Sequence, residues 1–84
     1  MYAISFSRAA LKSLRRMPTN TAHLIRLKFN ELAADPTAMR NVKKLTDAAG
    51  YRLRIGDWRV VYTLEQDRLM VAVIKIEPRG EIYK

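Results

Sequence analysis

The sequence predicts an α+β fold of order β-α-α-β-β-β, with a helical hairpin packed on one face of a four-stranded, largely antiparallel sheet. Three observations carry this expectation. The first residues alternate apolar with small polar side chains, the period of a strand. Two segments with helical apolar spacing follow, divided by Pro18. After Gly50 the pattern returns to strand alternation around a Gly-Asp turn.

The first strand places Tyr2, Ile4 and Phe6 on one face and Ala3, Ser5 and Ser7 on the other. Ser7 suits an N-cap, because its hydroxyl can accept from the free amides of the turn that follows. In that first helix Leu11, Leu14 and Met17 form an apolar stripe, with Arg8, Lys12, Arg15 and Arg16 off it. Pro18 ends the helix, and Thr19 or Thr21 opens a second, whose face Ile25, Phe29 and Leu32 runs to a stop at Asp35-Pro36. Residues 35–49 show no regular period, although Met39, Val42 and Leu45 are spaced to cover a core edge. Strands are expected at 51–55, 58–64 and 68–76, the last two joined by a turn near Gln66-Asp67.

With 84 residues the chain is read as one domain spanning 1–84, and its core is modest. Sixteen Lys and Arg stand against eight Asp and Glu, a net charge of +8. Such a balance attracts polyanions, nucleic acid first, with an acidic protein partner as the alternative. There is no cysteine, which removes disulfides and thiolate metal sites and suits a reducing compartment. No leader pattern and no run of apolar residues long enough for a membrane span is visible, so a cytoplasmic chain without a membrane partner is expected.

The segment "YRLRIGDWRVVY", residues 51–62, carries the chemistry. A two-residue loop at Gly56-Asp57 pairs Ile55 with Trp58, Arg54 with Arg59, Leu53 with Val60, Arg52 with Val61 and Tyr51 with Tyr62. One face is then apolar and belongs under the helices, while Arg52, Arg54 and Arg59 share the other. The register of the third strand stays open: Met70, Ala72, Ile74 and Ile76 lie on one side, and Leu69, Val71, Val73 and Lys75 on the other. Like charges placed opposite each other cost about 0.2–1 kcal/mol. A solvated face needs no such clash, although arginine stems that shield apolar residues beneath them are the competing reading. Arginine is also the side chain whose planar fork grips phosphate in two places. From the tail, Arg79, Glu81 and Tyr83 are expected to return toward the same face, after a turn set by Pro78. Four cations, a carboxylate and a phenol suit RNA cleavage by a 2′-hydroxyl attacking the adjacent phosphate: cations stabilise charge on phosphorus, and a nearby group protonates the leaving 5′-oxygen. That chemistry requires no metal and no cofactor.

The hairpin, the tail "EPRGEIYK" and the preceding "VKKL" together resemble the RelE family of bacterial toxins, over residues 42–84. The resemblance implies ribosome-dependent cleavage of mRNA in the decoding A site, leaving a 2′,3′-cyclic or 3′-phosphate and a 5′-hydroxyl. Position by position, Arg52 and Arg54 fall on the family's two hairpin cations, Arg59 on its phosphate-binding arginine, Arg79 on the tail arginine and Tyr83 on the tail aromatic. A guanidinium does not take up a proton, so Glu81 is the candidate base, with Glu77 behind it. The family further implies a cognate, RelB-like antitoxin with an acidic or amphipathic C-terminal segment. Operator DNA is then bound only through the toxin–antitoxin complex.

Around this site, Lys43, Lys44, Arg15, Arg16, Arg26 and Lys28 are candidates for contact with RNA or ribosome, though a solvated helix face explains half of them equally well. His23 is expected to be a surface or packing residue, and a lone histidine excludes a two-histidine ribonuclease. Trp58 and Tyr62 are expected in the core, and Asp57 in the turn. Two other functions stay open: a ParE-like toxin that inhibits DNA gyrase and cleaves nothing, and a catalytically inactive RNA-binding homologue. The combination of Arg52, Arg54, Arg59, Arg79 and Tyr83 favours the nuclease, because gyrase inhibitors of this fold generally lack it.

Overall fold

The computed structural model describes residues 1–46 and 48–78. The elements run β1 (Ala3–Phe6), α1 (Arg8–Arg16), α2 (Thr19–Ala34), β2 (Val42–Lys44), β3 (Tyr51–Ile55), β4 (Trp58–Glu65) and β5 (Met70–Pro78). The sheet order is β1-β5-β4-β3-β2; β1 lies parallel to β5 and every other pair is antiparallel. The helical hairpin covers one face, as expected. The sheet has five strands rather than four, because β2 forms inside the segment that showed no period. Three residues carry too little alternation to be read. β2 forms because Val42 packs toward the core opposite Leu53 while Lys43 and Lys44 keep the sheet edge wet.

Ser7 locks α1 onto the sheet. Its hydroxyl accepts from the Ala10 amide at 3.1 Å and donates to the Ile74 carbonyl, while its own amide donates to Val73 O at 2.9 Å. The stripe α1 buries is Ala10, Leu14 and Met17, whereas Leu11 stays exposed. The small Ala10 lets the helix approach β5 closely, which turns Leu11 toward water. In α2 the expected Ile25, Phe29 and Leu32 are all buried, and the Phe29 ring meets that of Phe6 at 5.5 Å. Pro18 occupies the N-cap position of α2 without a side-chain cap.

β5 begins two residues later than expected. A single 3₁₀ turn, Gln66–Arg68, and Leu69 in the left-handed region (φ 49°) take up the connection from β4. Along β5, simple alternation fails: Val71, Val73 and Ile76 are all buried. A bulge explains it. Tyr62 pairs with Val73 and Val61 with Lys75, so Ile74 is the extra residue and the strand changes face there. Glu77 and Pro78 continue the strand instead of forming an exit turn, pairing with Arg59 and Trp58. Proline is tolerated because β1 pairs only with Met70–Val73, so among the described residues the outer edge of β5 has no partner strand at that level.

One apolar cluster joins Ile25, Phe29 and Leu32 of α2 to Leu53, Ile55, Val60, Tyr62, Val71, Val73 and Ile76 of the sheet. That cluster fixes which face of the β3–β4 hairpin is closed, and therefore which face is open.

Candidate nucleic-acid interface

The hairpin has the expected register throughout, with Arg54 opposite Arg59 and Arg52 opposite Val61. The Gly56-Asp57 turn enforces it. Gly56 takes φ 56° whereas Asp57 does not have positive φ, the pattern of a II′ turn whose twist suits a two-residue hairpin. Burial of Leu53, Ile55, Val60 and Tyr62 beneath α2 then commits Arg52, Arg54 and Arg59 to the far side of the sheet.

The flanking strands extend this face into two cross-strand rows. The Arg54 amide donates to Asn41 O at 3.0 Å, one step beyond β2, so one row reads Asn41, Arg54, Arg59, Glu77. The other reads Lys43, Arg52, Val61, Lys75. The bulge at Ile74 is what brings Lys75 and Glu77 to this side. A concavity of about 370 Å³ opens over the hairpin, lined by Arg40, Lys43, Arg52, Arg54 and Arg59 together with Trp58. Among the described residues, Arg40, Lys43, Arg52 and Arg54 form no ion pair. Those four cations and Arg59 surround a space that admits a phosphate, with the Glu77 carboxylate opposite Arg59 at the end of one row.

Of the expected site residues, the fold gathers Arg52, Arg54, Arg59 and Lys43. Lys44 opposes Tyr51 on the other side of the β2 edge. Arg15, Arg16 and Arg26 are exposed on the helices, across the sheet from the hairpin's open face. Lys28 also belongs to α2, but it reaches a second concavity shared with Arg54. Arg79, Glu81 and Tyr83 lie outside the described residues. Trp58 is half-buried, packing on the core while it lines the basic concavity. His23 is exposed.

Two participants carried no readable signal, and the placement of a third, expected only as the second candidate base, was hidden. Arg40 and Asn41 sit in the segment without period, where only the nearby cations of "MRNVKK" hinted at a basic edge. Glu77 reaches the row through a bulge that alternation cannot reveal. Beneath the site, Tyr51 stacks on Tyr62 at 5.6 Å with 25° between the rings. The Tyr62 hydroxyl is pushed up to about 12, by burial first and by neighbouring Tyr51 second.

The comparisons agree with this architecture. The family described as "ParE toxin of type II toxin-antitoxin system, parDE" matches residues 4–83. The chain is 21% identical to Toxin RelG of Mycobacterium tuberculosis, covering 99% of this chain and 97% of that protein. It superposes on the toxin of the archaeal RelE-RelB complex from Pyrococcus horikoshii with a TM-score of 0.83 at 25% identity, covering 94% of this chain and 96% of the other. The isolated E. coli RelE toxin is similar at a TM-score of 0.78 and 25% identity, over 99% of this chain and 92% of that one. With its family match spanning nearly every residue and its fold shared with RelE, the chain belongs to the ParE toxin family of type II toxin–antitoxin systems, within the RelE/ParE superfamily.

Proposed function

We propose that this toxin is an endoribonuclease that cuts mRNA in the ribosomal A site and so stops translation. The observation that carries the proposal is the Arg54–Arg59 opposition on the open sheet face, with Arg52 and Lys43 in the neighbouring row. The pair and its neighbours concentrate guanidinium groups on one open face, where planar forks can grip a phosphate in two places. In the reaction, the 2′-oxygen loses its proton and attacks the adjacent phosphorus. The bond to the 5′-oxygen then breaks, and that oxygen takes up a proton, leaving a 2′,3′-cyclic phosphate and a 5′-hydroxyl. Arg52, Arg54 and Arg59 stabilise the charge that builds on the non-bridging oxygens. The proton acceptor is a carboxylate, because arginine does not deprotonate. Glu77 shares the row with Arg59 and Glu81 remains the first candidate acceptor, while Arg79 and Tyr83 keep the roles their resemblance implies.

The toxin acts in the cytoplasm, where a cognate RelB-like antitoxin restrains it by laying an acidic segment on the basic face. The RelE toxin of P. horikoshii is found in complex with RelB, which supports this partner. A translation reaction with defined mRNA and purified ribosomes, read by primer extension, tests the nuclease. Cuts within codons that require ribosomes and vanish with Arg59→Ala are expected; intact mRNA with translation still running would sink the reading. The family match favours one other function, inhibition of DNA gyrase. A supercoiling assay separates the two, since a nuclease leaves gyrase active.

A further inference from the structure

We infer that the concavity bounded by α2, residues 38–41 and the end of β3 is a second nucleotide subsite, which seats the phosphate and base adjoining the cut. This inference rests on the RNA-cleaving reading of the hairpin face. The space measures about 280 Å³, close to the lower end of small-ligand pockets at roughly 300 Å³. It shares Arg40, Asn41 and Arg54 with the concavity over the hairpin, so one strand of RNA can pass from the first to the second without leaving the protein surface.

Its lining suits a nucleotide. Ala38 and Met39, above the buried Leu53, supply an apolar floor on which a base can rest, and Lys28, Glu31, Arg40 and Arg54 stand around it. Lys28 is paired with Glu31 at 3.1 Å, which places a carboxylate beside that cation. Arg40 has no such pairing: among the described residues it makes neither an ion pair nor a side-chain hydrogen bond, and it is exposed at the junction of the two spaces. Its guanidinium is therefore the contact for the bridging phosphate. Single-stranded RNA fits this surface better than duplex, because only an unpaired strand can bend around the β2 edge and offer a base to the floor.

The test uses 2′-O-methyl RNA of three and seven nucleotides, which cannot be cut because the attacking hydroxyl is blocked. Binding is measured by fluorescence anisotropy over a series of salt concentrations. The wild-type protein is expected to gain at least about tenfold in affinity for the longer RNA. Arg40→Gln should abolish that gain, leave affinity for the shorter RNA within twofold, and lower the salt slope for the longer by about 0.7, the value for one phosphate contact on a single strand. Arg68→Gln, in the β4–β5 connection, controls for loss of net charge and should keep the gain. No length-dependent gain in the wild type, an equal loss for both lengths in Arg40→Gln, or the same loss in Arg68→Gln would each overturn the subsite. In those cases Arg59→Ala still reports on the hairpin face: weakened binding at both lengths leaves the nuclease reading standing. A wild-type protein that binds neither RNA overturns the subsite, while the nuclease reading is then decided by the ribosome-dependent cleavage reaction.

Discussion

Replacing Tyr62 by Phe tests how the core supports the basic face. Tyr62 is fully buried at the centre of β4, stacked on Tyr51, and its hydroxyl has no hydrogen-bond partner among the described residues. An unsatisfied buried polar group costs about 1–3 kcal/mol, and Phe removes it with almost no change of shape. Allowing for partial relaxation, Tyr62→Phe should stabilise the fold by about 1 kcal/mol at pH 7, a rise of about 4–8 °C in Tm for a chain of this size. The effect grows in alkali. The folded hydroxyl titrates near 12 against an ordinary 10.0, so below pH 10 both states keep the proton. Between pH 10 and 12 only the unfolded chain releases it, and stability falls by roughly 2–3 kcal/mol. Phe abolishes that component. Urea unfolding followed by Trp58 fluorescence at pH 8 and pH 11.5 reads both effects. A variant less stable than wild type at pH 7, or one whose alkaline decline equals that of wild type, would refute the reasoning. Cleavage should be unchanged, since the ring faces the helices and the arginines face away.

Three further outcomes follow from the same geometry. Gly50→Ala forces a side chain onto φ 119° and sets Cβ 2.8 Å from the Tyr62 carbonyl, so a loss of about 2–4 kcal/mol is expected in the urea midpoint. Ser7→Ala removes both the cap on Ala10 and the bond to Ile74 O, costing about 1–2 kcal/mol by thermal unfolding; an unchanged Tm would deny Ser7 its double role. Arg54→Thr should behave oppositely in two assays. Relief of the clash with Arg59 raises stability by about 0.2–1 kcal/mol, while cleavage falls at least tenfold, equivalent to about 1.4 kcal/mol at the transition state. A variant that loses stability and keeps its activity would place the reacting phosphate elsewhere.

That opposed pair sets two guanidinium groups side by side on the open face. The one carboxylate in the Arg54–Arg59 row, Glu77, lies opposite Arg59 on its other side, so Arg54 is the arginine of the pair with no carboxylate beside it in the row.

Local rules in the sequence determined much of this protein. Ser7 as a cap, Pro18 as a break, and the Gly56-Asp57 turn act within a few residues, and each has the expected effect. The turn also set the whole β3–β4 register, because a two-residue loop leaves no freedom to slip; the placement of Arg52, Arg54 and Arg59 on one face followed. Tertiary structure decided what depends on distant partners. β2 is too short to declare itself and exists because Leu53 gives Val42 a place to pack. The bulge at Ile74 answers to two elements at once: its carbonyl takes the Ser7 hydroxyl while Ile76 returns to the core, and the shift carries Glu77 to the open face. Arg40 joins the basic surface for the same reason. Its place is set by the chain's return from α2 to the sheet edge, a path that no pattern of neighbours along the sequence records.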